Sequence, residues 1–140
     1  MQTYLIKIIL LLLVLLFSFS CREEIIAPDN FVETVNDPVQ LRERNSYTLL
    51  LNANNFTMDL TVPASFTSIR TRFNVTLVDH ESGYTSVSVQ DYNSVERFRY
   101  FISDDVSYHS ELLDGFVPVN IKIHTENFSG KIKIEFRKTL

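Results

Sequence analysis

The chain has 140 residues, with 13 basic and 17 acidic side chains and a formal net charge of −4. That balance excludes a nucleic-acid partner, which calls for a basic surface. A single cysteine excludes a disulfide framework, and the length leaves room for one domain.

In chain order, one basic residue, Lys7, precedes an unbroken apolar run from Ile8 to Phe17, followed by Ser18-Phe19-Ser20 and Cys21. This is the layout of a secretory signal. A helix needs ~20 apolar residues to cross a bilayer, and the run has about half of that. The segment Leu16-Phe17-Ser18-Phe19-Ser20-Cys21 resembles the relaxed lipobox of bacterial lipoproteins. The resemblance covers the leader alone, and Phe19 departs from the small residue usual at its place. It implies cleavage before Cys21, a diacylglycerol on the Cys21 thiol and a fatty acid such as palmitate on the new amino group. Two or more acyl chains give lasting membrane attachment where one gives only marginal binding. The next residues, Arg22-Glu23-Glu24, resemble the signal that sends some Bacteroidota lipoproteins to the outer face of the outer membrane. With Lys7 in the leader and every acidic residue after it, the mature part carries 12 − 17 = −5.

From Cys21 to Asn45 the chain carries Pro28, Pro38, Asp29-Asn30 and Asn36-Asp37 among scattered apolar residues, which reads as a tether. Within it, Val39–Arg44 offers one helical turn, or Phe31-Val32 a first short strand. The expected organisation is a signal peptide over 1–20, an anchored tether over 21–45 and a domain over 46–140.

From Ser46 the pattern alternates with period two, so each strand puts one set of side chains on each face of a sheet. Leu49 and Leu51 share a face, Asn52-Ala53-Asn54-Asn55 reads as a turn, and Phe56, Met58, Leu60 and Val62 continue as the second arm of a hairpin. After Pro63-Ala64-Ser65 a strand follows with Ile69, Thr71, Phe73, Val75 and Leu77 toward the core and Arg70, Arg72, Asn74 and Thr76 away from it. Asp79-His80-Glu81-Ser82-Gly83 reads as the next turn, Val87 and Val89 as a strand, and Tyr92-Asn93-Ser94 as another turn. Val95–Ile102 alternates Glu96, Phe98, Tyr100 and Ile102 inward against Val95, Arg97, Arg99 and Phe101 outward. Val106–Asp114 reads as an edge strand or loop. A last hairpin joins Val119, Ile121 and Ile123 to Ile132, Ile134 and Phe136 through a turn at Glu126–Gly130. The first and last hairpins superpose at a constant offset, with Asn55-Phe56-Thr57 on Asn127-Phe128-Ser129. Such a match arises from an internal echo, or from the physics common to hairpins. Phe73, Val75, Ile121, Ile123, Ile132 and Ile134 are the expected core.

The fold class is therefore all-β: an antiparallel β-sandwich of about 7–8 strands, immunoglobulin-like or jelly-roll.

Catalytic parts are missing from the sequence. It has no Gly-x-Ser-x-Gly elbow, and the only thiol is assigned to lipid. His80, His109 and His124 lack zinc-site spacing, so no metal and no cofactor is expected. Ser103-Asp104-Asp105 with Glu111 and Asp114 offers oxygen ligands without the spacing of a calcium loop. The sequons at Asn55, Asn74 and Asn127 are chance matches in a bacterial lipoprotein. Arg70, Arg72, Arg97 and Arg99 form two outward Arg-x-Arg pairs, a candidate cationic patch for a protein partner or an acidic glycan, provided that their strands are neighbours. The opposing reading is that these arginines pair with carboxylates of their own sheet. The expected function is a lipid-anchored, non-catalytic binding or structural module at the outer membrane, surface-exposed by its sorting signal. A small secreted or membrane-attached hydrolase is the alternative.

Overall fold

The computed structural model describes residues 32–140. The leader, Cys21 and the first part of the tether, through Phe31, lie outside the described residues. Six antiparallel strands form one hydrogen-bonded sheet: β1 (Val39–Glu43), β2 (Ser46–Pro63), β3 (Arg70–Gln90), β4 (Glu96–Ile102), β5 (Val106–Asp114) and β6 (Asn120–Lys138). Its order is β1-β2-β6-β3-β4, and β5 pairs with the first half of the β3 edge whose second half takes β4.

The sheet folds over into a sandwich. Val89 lies 16 residues after Phe73 in β3 (89 − 73), about 50 Å along a straight strand at ~3.3 Å per residue. Yet Phe98, the cross-strand partner of Val89, puts its ring centroid 5.0 Å from that of Phe73. Tyr100 lies 5.4 Å from the same ring and Phe136 5.2 Å. The strand must therefore double back. One layer comprises β1, β5 and the first halves of β2 and β3 with the second half of β6. The other comprises β4 and the remaining halves. Between them lie Leu49, Leu51, Val75, Leu77, Val87, Val89, Ile121, Ile123, Ile132 and Ile134, all essentially inaccessible, so the expected core is borne out.

The doubling explains why two expected hairpins and one expected turn are absent. Asn52–Asn55, Asp79–Gly83 and Glu126–Gly130 are not chain reversals. They are bulges at one level of the three long strands, where the ladder registers shift. In β2 the buried positions change from odd (Leu49, Leu51, Ala53) to even (Val62, with Phe56, Met58 and Leu60 half-buried) across Asn54-Asn55. In β6 the same change falls between Thr125 and Phe128. Each change inserts one left-handed residue, Asn55 at φ 48° and Asn127 at φ 45°. Asparagine tolerates that conformation better than most side chains do. Among the described residues the strands accordingly number six, against the expected seven or eight.

The echo between the two segments has a spatial meaning. Phe56 pairs with Phe128 across the ladder, the Asn55 amide donates to Ser129 Oγ at 2.8 Å, and the Asn127 amide donates to Thr57 Oγ1 at 3.1 Å. The 72-residue offset that carries Asn55 to Asn127 and Thr57 to Ser129 exchanges the two bonds, so a local two-fold axis passes through the bend. Two of the three sequons are thus the bend motif itself, with the hydroxyl residue closing the neighbouring strand's bulge.

The N-terminal boundary also moves. Val39–Glu43, expected within the tether, pairs with Ser46–Leu50 as edge strand β1, and Asn36 donates its backbone amide to Asn52 O at 2.8 Å. Val39–Arg44, expected as a helical turn, is too short for a stable isolated helix, whereas pairing with β2 satisfies its backbone at once. Ile69, expected in the core, is exposed at the rim just before β3, and Glu96, expected inward, is exposed because the ladder shifts register between Val89 and Gln90 and the carboxylate meets the outward Arg99.

Candidate ligand-binding face

The outer face of the second layer is built by strand register. Cross-strand pairing aligns Phe101 of β4, Ser86 of β3, His124 of β6 and Asp59 of β2 in one row, and Arg99, Ser88, Lys122 and Thr61 in the next. Tyr84 and Glu126 form the row nearer the bend. Side chains in such rows are within reach of one another. Tyr84 and Phe101 stack with centroids 4.7 Å apart and an interplanar angle of 28°. The Tyr84 hydroxyl donates to Glu126 Oε2 at 2.5 Å and lies 3.4 Å from His124 Nε2, while His124 Nδ1 lies 2.7 Å from Asp59 Oδ1. Asp59, His124, Tyr84 and Glu126 therefore form one chain of polar contacts beside the exposed Phe101 ring.

A shallow hollow of about 200 Å³ lies next to this chain, lined by Asp59, Thr61, Ser86, Ser88, Arg99, Lys122 and His124. Enclosing small-molecule pockets run to ~300–1,000 Å³, so a ligand would lie across this face rather than inside it. Ring faces flanked by hydroxyl, amine and carboxylate groups suit a flat, hydroxyl-rich ligand.

An imidazole between a carboxylate and a hydroxyl also has the outline of a nucleophile relay. Here the proton is held rather than released. The hydrogen bond to Glu126 raises the Tyr84 phenol above its ordinary value of 10.0, partial desolvation and the charges of Glu126 and Asp59 add to the rise, and a nucleophile needs the opposite shift. Among the described residues, no three His, Cys, Asp or Glu side chains converge as metal ligands. Asp105, named above for calcium, instead accepts the His80 amide at 2.9 Å, and Asp114 accepts the Gly115 amide at 2.8 Å.

The four arginines do not form one patch. Arg70 and Arg72 lie on the outer face of the first layer, while Arg97 and Arg99 lie on the outer face of the second, on the opposite side of the sandwich. Strand alternation placed each pair outward correctly, but the doubling of β3 separates them. Arg97 Nε donates to Asp91 Oδ2 at 2.6 Å, and Arg99 makes a two-pronged pair with Glu96 at 2.9 and 2.7 Å. The Arg97 bond, with the Val95 and Asn93 amides, holds the Asp91 carboxyl below its usual range against the cost of desolvation, and Arg99 does the same for Glu96. Arg70 donates to Leu140 O at 3.3 Å and Arg72 to Ser110 Oγ at 3.2 Å. Of the four, only Arg99 borders the candidate face.

The sequence reading did not select Tyr84, Phe101, His124, Asp59 or Glu126. Their signal was present as the polar phase of alternating strands, in Tyr84-Ser86-Ser88 and Lys122-His124-Glu126. Which strands would lie side by side was not.

No family model matches the chain, and no curated protein matches it. Among solved structures, it is similar to a family 29 carbohydrate-binding module complexed with mannohexaose, at TM-score 0.41 and 13% identity over 71% of this chain and 74% of that one. It is similar at TM-score 0.43 and 12% identity to a Bacillus endospore appendage subunit that forms disulfide-linked pili, over 79% of this chain and 98% of that one.

Proposed function

We propose that this protein is a lipid-anchored lipoprotein of the cell envelope whose sandwich is a non-catalytic module binding a neutral glycan chain on the outer face of the second layer. The observation that carries the binding assignment is the exposed Phe101 ring stacked on the half-buried Tyr84, set against the contact chain from Asp59 to Glu126. Sugar rings present C–H faces to aromatic rings and hydroxyls to polar groups, and this face offers both side by side. The mixed charges of Asp59, Glu126, Arg99 and Lys122 favour a neutral chain over a charged one. The leader ending at Cys21, followed by Arg22-Glu23-Glu24, supports attachment through the Cys21 lipid at the outer membrane.

The test uses the full-length protein purified in detergent and immobilised plant and bacterial polysaccharides. The native protein should be retained by at least one neutral polysaccharide, and Tyr84→Ala with Phe101→Ala should lose about tenfold or more in affinity while keeping the melting midpoint within a few degrees. Retention that the double variant leaves unchanged, or retention by none, would sink the glycan assignment. Mass spectrometry of the N-terminal peptide checks the anchor: an unmodified Cys21, or a chain still bearing its leader, refutes it. Release of soluble sugar during the same incubation would favour the hydrolase reading, for which the Asp59–His124–Tyr84 arrangement is the only motive.

A further inference from the structure

A third Arg-x-Arg pair, Arg42 and Arg44, lies away from both outer faces at the open end of the sandwich. There the β1–β2 turn and the segment 63–67 border a half-open cleft of about 690 Å³. That volume falls within the range of small-molecule sites, ~300–1,000 Å³. Its wall is preorganised by Asn45. The Asn45 amide donates to Ser65 O at 3.1 Å, and its side-chain Oδ1 accepts both the Thr67 amide at 2.7 Å and the Thr67 hydroxyl at 3.0 Å. Its carbonyl accepts the Lys138 amide at 2.9 Å, so the turn, the 63–67 segment and the end of β6 meet at one residue.

The lining divides by chemistry. Tyr47 and Phe66, both buried, give an apolar floor, and the Ser65 and Thr67 hydroxyls stand at the side. Arg42 and Arg44 supply two positive charges. Arg42 Nη2 is pinned by the neutral Gln40 Oε1 at 2.6 Å, which orients the guanidinium without cancelling its charge. Glu43 also borders the cleft, yet among the described residues no carboxylate lies within ion-pair distance of either arginine.

We propose that this cleft is a second ligand site, which takes a single carboxylate-bearing sugar unit such as a uronic acid, with Arg42 and Arg44 on the carboxylate. The planar guanidinium fits a carboxylate with two parallel hydrogen bonds, and the hydroxyl and aromatic groups suit the sugar ring. The acidic ligand expected at the patch of four arginines thus moves to a pair outside that patch.

Calorimetric titration of the full-length protein in detergent with sodium glucuronate tests it, with glucose as the neutral control. Glucuronate should bind saturably and glucose should not compete. Arg42→Gln with Arg44→Gln should weaken glucuronate about 10- to 100-fold, the value of one or two charge-assisted hydrogen bonds. Raising salt from about 0.05 to about 0.5 M should weaken it as well. Displacement of glucuronate by inorganic sulfate would support the arginines as the contact. The proposal is overturned if glucuronate shows no saturable binding, if the double variant binds it as tightly as the native protein, or if glucose displaces it equally well. Phe101→Ala should leave glucuronate binding intact, and the arginine variant should leave retention on neutral polysaccharide intact, so each assignment stands or falls separately.

Discussion

The two outer faces of the sandwich obey the same alternation and differ in what it assembles. On the second layer, outward residues of four strands bring rings and a polar chain together around Tyr84 and His124. On the first layer, outward cations are mostly spent locally: Lys131 on Asp79 at 2.7 Å, and Lys133 and Arg137 both on Glu135 at 3.5 and 2.8 Å. Surface ion pairs of this kind contribute ~0–1 kcal/mol each, so the first face is solvated and self-neutralised while the second presents stacked apolar area to solvent. Period-two patterning says which residues point outward. It does not say which outward residues will be neighbours.

The largest effect should come from the interior that both faces share. Phe73 touches Phe98 and Tyr100 of one layer and Phe136 of the other, and Phe73→Ala should cost about 3–5 kcal/mol in urea unfolding, a large share of a small domain's stability. Lys131→Ala, which removes one exposed pair, should cost less than about 1 kcal/mol. Tyrosine fluorescence and circular dichroism should report a single transition in both variants. Two separated transitions would mean that the layers are independent units and that the comparison of faces is one of two domains.

A smaller but sharper loss is expected at the bend that turns the faces away from each other. Gly83 has φ +71°, and a Cβ there would collide with the carbonyl oxygens of both Asn127 and Glu126. Gly83→Ala should therefore cost at least about 1–3 kcal/mol, since both backbone strain and a backbone clash oppose it. An unchanged unfolding midpoint would show that the bend tolerates a different path and that the opposition of the faces is not rigidly set.

The smallest effect concerns the edge of the second layer and disappears in acid. Asp91 is buried, accepts from Arg97 and from the Asn93 and Val95 amides, and titrates below its ordinary value of 3.8. The folded state therefore binds fewer protons than the unfolded state in this range. The Asp91 contribution is complete above pH 3.8 and is lost as the pH falls from there through the depressed value. Asp91→Asn should lower the melting midpoint at neutral pH and flatten its decline in acid. An equally steep acid decline in the variant would assign that loss to other carboxylates.

Much of the fold was legible in the chain. The turn at Tyr92-Asn93-Ser94, the outward phase of Arg97 and Arg99 and all six expected core residues follow from local rules that the structure keeps. The bends were misread for a physical reason. Asparagine, glycine and aspartate in left-handed backbone serve a reversal and a bulge equally well, and only the pairing partners tell the two apart. Asn55 and Asn127 look like hairpin turns until Phe56 is seen opposite Phe128.

The sequence by itself determined the all-β class, most of the phase of β2, β3, β4 and β6 and the expectation of a leader ending at Cys21, because these depend on composition and on spacing along the chain. Only the tertiary structure decided that three long strands double back and set Arg72 and Arg99 on opposite sides. The same long-range pairing gathers Asp59, Tyr84, Phe101 and His124 onto one face. Pairing between residues as far apart as 59 and 124 is a property of register, and register is settled by the whole core at once.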